Sequence, residues 1–141
     1  MATVTPNAKA HSGLADLASR YVDVDELPWE STRFDGVEIK TLMIDRESGL
    51  LTTLVRMAPG ATLPDHEHVA IEQTYVLEGS LVDHEGEVRA GEYVWRPGGS
   101  RHEATAPNGG LFLSFFLKPN RFFDADGATD ISGQAYDEDA A

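Results

Sequence analysis

Two histidines separated by one residue, His66 and His68, have the most informative spacing in the chain. Side chains alternate between the two faces of an extended strand, so residues i and i+2 lie on the same face. The spacing therefore predicts two imidazoles directed at one point, and Glu72 can bring a carboxylate there if the chain bends between them. Two imidazole nitrogens and one carboxylate oxygen suit a divalent transition metal. Taken alone, the pair also fits solvated loop histidines, because its neighbours Asp65 and Glu67 are charged.

The composition narrows the class of protein. The chain has 141 residues, enough for one domain with a core, and it contains no cysteine, which excludes disulfides and thiolate metal sites. Its formal net charge of -13 argues against binding to nucleic acid or to anionic membranes, both of which need a Lys/Arg surface. No apolar run has the length of a membrane span, and the N-terminus lacks the pattern of a signal peptide. We therefore expect a soluble cytoplasmic protein.

From residue 33 onward the pattern predicts short strands separated by Gly and Pro turns. This pattern is typical of an all-β sandwich or barrel. The predicted strands cover residues 37–44, 50–57, 74–77, 81–82 with 88, 93–96, 103–106 and 111–117. We place the domain at residues 33–123, an N-terminal arm at 1–32 and an acidic C-terminal tail at 124–141.

The arm contains one stretch with helical spacing. Leu14, Leu17, Ala18 and Tyr21 recur at that spacing after Ser12, and they predict one short helix. Trp29, near the end of the arm, is predicted to anchor the arm by packing. The tail is expected to be mobile or to cover a neighbouring subunit.

Two glycine-framed motifs indicate a family. The first motif consists of Gly60, His66, His68, Glu72 and Gly79; the second consists of Gly91, Pro97, Gly99 and His102. Their order and spacing resemble the two motifs of the cupin superfamily. The second motif departs from the family pattern at its last position, where Ala106 stands in place of an asparagine that is not a metal ligand.

The resemblance implies a small antiparallel jelly-roll barrel in which His66, His68, Glu72 and His102 meet as metal ligands. The runs 27–30, 45–49 and 54–60 are similar to the ChrR-type branch, which includes the zinc-binding domain of an anti-sigma factor. The run 116–124 resembles the small dioxygenases that cleave acetylacetone or dihydroxyacetophenones. The acetylacetone-cleaving members use three histidines without the motif carboxylate, whereas this chain has Glu72.

The expected function is that of a dioxygenase-like metalloenzyme acting on a small diketone, hydroxyketone or aromatic compound. Iron(II) is the favoured metal, and zinc, manganese and nickel also suit these ligands. Candidate substrate-binding residues are Arg56, Trp95 and Phe112. Three alternatives stay open: a non-catalytic zinc-binding sensor or regulatory domain, an isomerase or lyase that uses only Lewis acidity, and a structural homodimer module with a vestigial site. The resemblance also implies a homodimer.

Overall fold

Antiparallel strands make up most of the protein, which confirms the predicted all-β fold. The computed structural model describes residues 2–124 and 127–131. The strands in these residues are β1 (Thr3–Val4), β2 (Glu30–Ser31), β3 (Val37–Asp45), β4 (Leu51–Met57), β5 (Ala61–Glu67), β6 (Glu72–Val82), β7 (Glu87–Arg89), β8 (Tyr93–Arg96), β9 (Arg101–Ala106), β10 (Gly110–Phe116), β11 (Arg121–Asp124) and β12 (Gly127–Thr129).

The strand order is that of a curled sheet rather than a simple meander. Neighbours follow the order β1-β3-β4-β10-β6-β9-β5-β11-β12, with β2 on β3 and with β7 and β8 on β6. The long strand β6 belongs to both halves: its first residues pair with β8 and β10, and its last residues pair with β7 and β9. The sheet therefore curls into a half-barrel, as the jelly-roll prediction requires.

One strand is longer than the sequence indicated. A strand is predicted over residues 74–77, but β6 begins at Glu72 and continues through Glu78 and Gly79 to Val82. Gly79 has a φ of 72°, and a Cβ there would collide with the carbonyl oxygen of Gly109. Glycine at this position permits a close approach of two strands, so here it marks an irregularity inside β6 rather than a turn.

The interior is divided between an apolar core and a polar region. The core cluster consists of Val37, Val55, Met57, Val76, Val88, Ala106 and Phe112. The polar region consists of buried side chains on the same inward faces of the strands: Thr53, His66, His68, Glu72, Thr74, His102 and Ser114. Buried polar groups are costly without partners, so their concentration indicates a site rather than a defect of packing.

The N-terminal arm is attached by strands, not by a helix. Both β1 and β2 pair with β3, and short 3-10 turns lie at Lys9–His11 and Val24–Glu26. The helix predicted after Ser12 is not formed, because Leu17 is 99% exposed and has no surface to pack against. Trp29 does anchor the arm, since its ring lies 4.8 Å from Lys40 Nζ and 4.1 Å from Arg56 Cζ.

Only part of the predicted tail is described. Strand β12 pairs with β11, and Ile131 packs against the core cluster. Residues 125–126 and 132–141 lie outside the described residues, so the predicted boundary at 124 stays a prediction. No helix in the described part of the chain is long and apolar enough to span a membrane.

Candidate metal centre

Two paired strands bring the three histidines together. His66 on β5 lies directly opposite His102 on β9. His68 follows β5, where its N–H donates to the carbonyl of Ser100 over 2.8 Å and its carbonyl accepts from the N–H of Gly99 over 2.7 Å. One nitrogen from each imidazole lies within 4.8 Å of the other two. The cluster therefore joins both sequence motifs at one point.

Burial keeps two of these imidazoles neutral. His66 and His102 are 2% and 7% exposed. Burial lowers the pKa of His66, although the hydrogen bond to Pro64 opposes the shift. Burial also lowers the pKa of His102 to about 4, against the effect of its bond to Asp83. A neutral imidazole is the form that binds a metal, so both rings hold that form at neutral pH.

A hydrogen-bond partner fixes the orientation of each ring. The Nδ1 of His66 donates to the carbonyl of Pro64 over 2.7 Å, and that oxygen can only accept. The Nδ1 of His68 lies 2.9 Å from Ser100 Oγ, whose own hydrogen is directed to the carbonyl of Pro97. The Nδ1 of His102 donates to Asp83 Oδ2 over 2.7 Å. All three rings therefore carry a proton on Nδ1, which leaves Nε2 of each ring as the nitrogen directed at the cluster.

The donor set fits a divalent metal. The Nε2 of His68 is buried and has no hydrogen-bond partner among the described residues. It lies 2.9 Å from Oε2 of Glu72, but the direction of this contact is not that of a hydrogen bond. A buried nitrogen without a partner costs free energy, and a cation between the three Nε2 atoms would satisfy it.

Glu72 reaches the edge of this cluster from the start of β6. It is not a member of the three-histidine group. Burial raises the pKa of its carboxyl group, but the neighbouring His68 and the hydrogen bond from Asn120 outweigh it and bring the pKa to about 2. The ionised carboxylate accepts from Thr74 Oγ1 on one oxygen and from Asn120 Nδ2 on the other, each over 3.1 Å. Thr74 is thus a hydrogen-bond partner of Glu72, whereas the residue between them, Gln73, accepts from Tyr93 on the outer surface.

Asp83 contacts the histidine cluster, although it was not identified from the sequence. It lies in an acidic hairpin turn, where its Oδ1 accepts the N–H groups of Glu85 and Gly86. Its Oδ2 accepts from His102 and, over 2.8 Å, from Arg96. Burial raises the pKa of Asp83, but these bonds lower it to about 2. No local pattern could have shown a contact between residues 83 and 102.

A cavity of about 270 Å³ opens beside the histidines. Its wall includes His66, Glu72 and His102, and most of the remaining lining is apolar. No lysine or arginine is among the described residues that line it. The sequence-predicted residue Phe112 lies in this wall.

Arg56 and Trp95, the other predicted substrate residues, lie elsewhere. Arg56 forms an ion pair with Glu38 over 2.9 Å on the outer surface, and Trp95 is 57% exposed. Neither belongs to the cavity wall. Both point outward because side chains alternate along β4 and β8, and Val55 and Val94 occupy the neighbouring inward positions.

The sequence profile described as the ChrR cupin-like domain matches residues 17–120. The chain belongs to the ChrR cupin-like family. The matched residues include the whole histidine cluster. No curated protein sequence matches this cupin.

Solved structures with the same fold include enzymes and a regulator. A suggested acetylacetone dioxygenase from Methylibium petroleiphilum PM1 is 23% identical, with a TM-score of 0.71 over 84% of this cupin and 89% of that chain. An acetylacetone dioxygenase from Acinetobacter johnsonii is 18% identical, with a TM-score of 0.72 over 85% and 91%. The complex of Rhodobacter sphaeroides SigE with the anti-sigma ChrR gives 22% identity and a TM-score of 0.57 over 66% and 50%. These similarities show the fold.

Proposed function

We propose that this cupin is a metal-dependent, dioxygenase-like oxidoreductase that acts on a small neutral diketone or hydroxyketone. The observation that carries the proposal is the three-histidine centre with one side open to a mostly apolar cavity. A structural zinc site has no need of such a cavity, whereas a catalytic site keeps an open position for its substrate. The acetylacetone dioxygenases among the solved structures support the same reaction class.

His66, His68 and His102 would hold the metal through Nε2, and Glu72 would be a fourth ligand. Iron(II) in this position would supply Lewis acidity and electron exchange with dioxygen. The carboxylate of Glu72 adds a negative charge beside His68, so the site would carry less net positive charge than with histidines alone. Asp83 positions His102, and Ser100 positions His68.

The cavity restricts the substrate. Apolar walls favour a compound with little polar surface, and the absence of lysine and arginine from the described part of the lining disfavours a carboxylate or phosphate. A diketone or hydroxyketone needs no cationic side chain, because its oxygens can be bound at the metal centre itself.

Oxygen consumption tests the proposal. Protein purified without chelators or a nickel column would be loaded with iron(II) and mixed with a panel of β-diketones and α-hydroxyketones in an oxygen electrode. We expect stoichiometric consumption of oxygen and substrate for at least one compound. His102→Ala should abolish it, and His84→Ala, whose side chain is exposed in a surface turn, should not. Stoichiometric zinc in the purified protein without oxygen consumption after iron loading would contradict the proposal.

A non-catalytic zinc-binding domain is the second candidate. Two observations support it. The carboxylate of Glu72 lies 2.9 Å from Nε2 of His68, where it could complete a closed four-ligand site. The fold is shared with ChrR. The two candidates differ in whether the metal has an open position for an added ligand. In cobalt-substituted protein, a small anion such as azide should change the spectrum of an open enzyme centre. It should leave the spectrum of a closed tetrahedral site unchanged.

A further inference from the structure

Four hydroxyl side chains form a row across the inner wall of the cavity. Thr41 on β3 pairs with Thr53 on β4, Thr53 pairs with Ser114 on β10, and Ser114 pairs with Thr74 on β6. All four line the cavity. We call Thr41, Thr53, Ser114 and Thr74 the hydroxyl row. In a mostly apolar wall such a row is costly unless its members have partners.

One end of the hydroxyl row serves Glu72. Thr74 Oγ1 donates to Glu72, because a carboxylate can only accept. Ser114 Oγ lies 3.0 Å from Thr74 Oγ1 and must therefore donate to it. These two hydroxyls are accounted for by the metal centre.

Thr53 is different. It is 4% exposed, and its Oγ1 has no hydrogen-bond partner among the described residues. A valine would fill the same space without burying a hydroxyl, and valine has a higher preference for strands than most residues. Thr53 lines the cavity, and a turn of its side chain about χ1 would bring the enclosed hydroxyl to a polar group of a ligand there.

The position of Thr53 says which part of a ligand it would contact. Adjacent strands lie about 4.8 Å apart, and β4 is separated from β6 by β10, so the backbone of Thr53 lies roughly 10 Å from that of Thr74. Thr53 therefore lies two strands along the cavity wall from Thr74, the partner of Glu72. A ligand that has one end at the histidines and extends along this wall would reach Thr53 with its other end.

We infer that Thr53 is a specificity-determining residue that binds a second, distal oxygen function of the ligand. The ligand class is a neutral, mostly apolar small molecule with a metal-binding ketone or hydroxyketone at one end and a hydroxyl or carbonyl at the other. The contact of the ketone end with the metal rests on the proposed function. The contact of the distal oxygen with Thr53 does not require that dioxygen be consumed.

Two probes that differ by one distal hydroxyl test the inference. Binding of 1-hydroxyheptan-2-one and 1,7-dihydroxyheptan-2-one would be measured by titration calorimetry under nitrogen with the protein as purified. We expect the unvaried protein to bind the dihydroxy compound about five- to tenfold more tightly, the range of one buried hydrogen bond. Thr53→Val should abolish this preference and leave the Kd of the monohydroxy compound unchanged. Thr53→Ser should keep it.

Thr52→Val is the matched control. Thr52 is the neighbour of Thr53 on β4 and is absent from the cavity wall, so this variant should keep the preference. The unfolding temperature of Thr53→Val should be no lower than that of the unvaried protein, because the substitution removes an unpaired buried hydroxyl. An unchanged preference in Thr53→Val, or no binding of either probe to the unvaried protein, would overturn the inference. A preference that depends on Thr53 without any oxygen consumption would uphold it and refute only the oxygenase proposal.

Discussion

His102 Nδ1 donates to Asp83 Oδ2 over 2.7 Å, and the same oxygen accepts from Arg96. This contact fixes the His102 ring with its Nε2 lone pair toward His66 and His68. It also explains why a buried carboxylate persists in a hairpin turn: Arg96 and two backbone N–H groups compensate its charge. Asp83 is therefore a positioning residue for the metal centre, although it lies outside both histidine motifs.

Loss of Asp83 should weaken metal binding without removing a ligand. We expect Asp83→Ala to lower the affinity for zinc by about 10- to 100-fold, the usual effect of removing a partner of a ligating histidine. Competition with a chromophoric chelator measures this affinity. Glu85→Gln, in the same turn but with an exposed side chain, is the control and should bind zinc normally. Equal affinities for Asp83→Ala and the control would show that His102 needs no positioning.

Removal of the metal should destabilise the folded protein. A ligand present at 100 times its Kd stabilises the native state by about 2.7 kcal/mol. For a chain of this size that corresponds to roughly 5–10 °C in Tm. We expect scanning calorimetry to show this loss after treatment with a chelator and its recovery on addition of zinc. A Tm that did not respond to zinc in the chelator-treated protein would contradict a native metal site.

Glu72 should contribute as a ligand. Glu72→Gln keeps the shape of the side chain and its place beside Thr74, but it removes the charge. We expect at least a tenfold loss of zinc affinity, because losing only the hydrogen-bond partner of a ligand already lowers metal affinity by about 10- to 100-fold. Glu78→Gln, on the same strand with an exposed side chain, should have no effect. If both variants bind zinc equally well, the metal is held by the three histidines alone.

The expected homodimer has a suitable surface on the outside of the sheet. Tyr75 pairs with Tyr93, and Trp95 and Phe115 both flank Gln73, so these aromatic side chains form one exposed face. Large exposed apolar patches often mark interaction sites. The chain has a net charge of -13, so electrostatic repulsion between two copies is smallest when uncharged residues form the interface. We expect a two-fold dimer through this face.

Analytical ultracentrifugation tests the dimer. The unvaried protein should sediment with twice the mass of the chain, and Trp95→Glu should sediment as a monomer. Leu17→Glu, at an exposed apolar position on the N-terminal arm, should stay dimeric. A dimer that persists in Trp95→Glu would place the interface elsewhere.

The sequence was sufficient for the fold class because alternation and Gly/Pro turns are short-range patterns, and they predicted most of the long strands. No local pattern placed His102 beside His66 and His68; that expectation came from the resemblance of the two motifs to those of cupins. Asp83, Ser100 and Asn120 could not be predicted as partners, because each contacts a residue 19 to 48 positions away. Such contacts depend on how the strands pair.

Some errors could have been avoided by strict use of alternation. Val55 and Met57 were predicted strand residues, and both face the interior. Arg56 between them must then face outward, where it packs on Trp29. The prediction of a helix in the arm was wrong for another reason. A few apolar residues at helical spacing do not stabilise a helix unless they pack against another part of the protein.

The metal content of the purified protein tests the central claim most directly. Protein prepared without chelators or a nickel column would be analysed by inductively coupled plasma mass spectrometry, together with His66→Ala, His68→Ala, His102→Ala and the exposed-site control His84→Ala. We predict about one divalent transition-metal ion per chain in the unvaried protein and in the control, and little or none in the three cluster variants. Full metal occupancy in a His66→Ala/His102→Ala double variant would contradict the site described here.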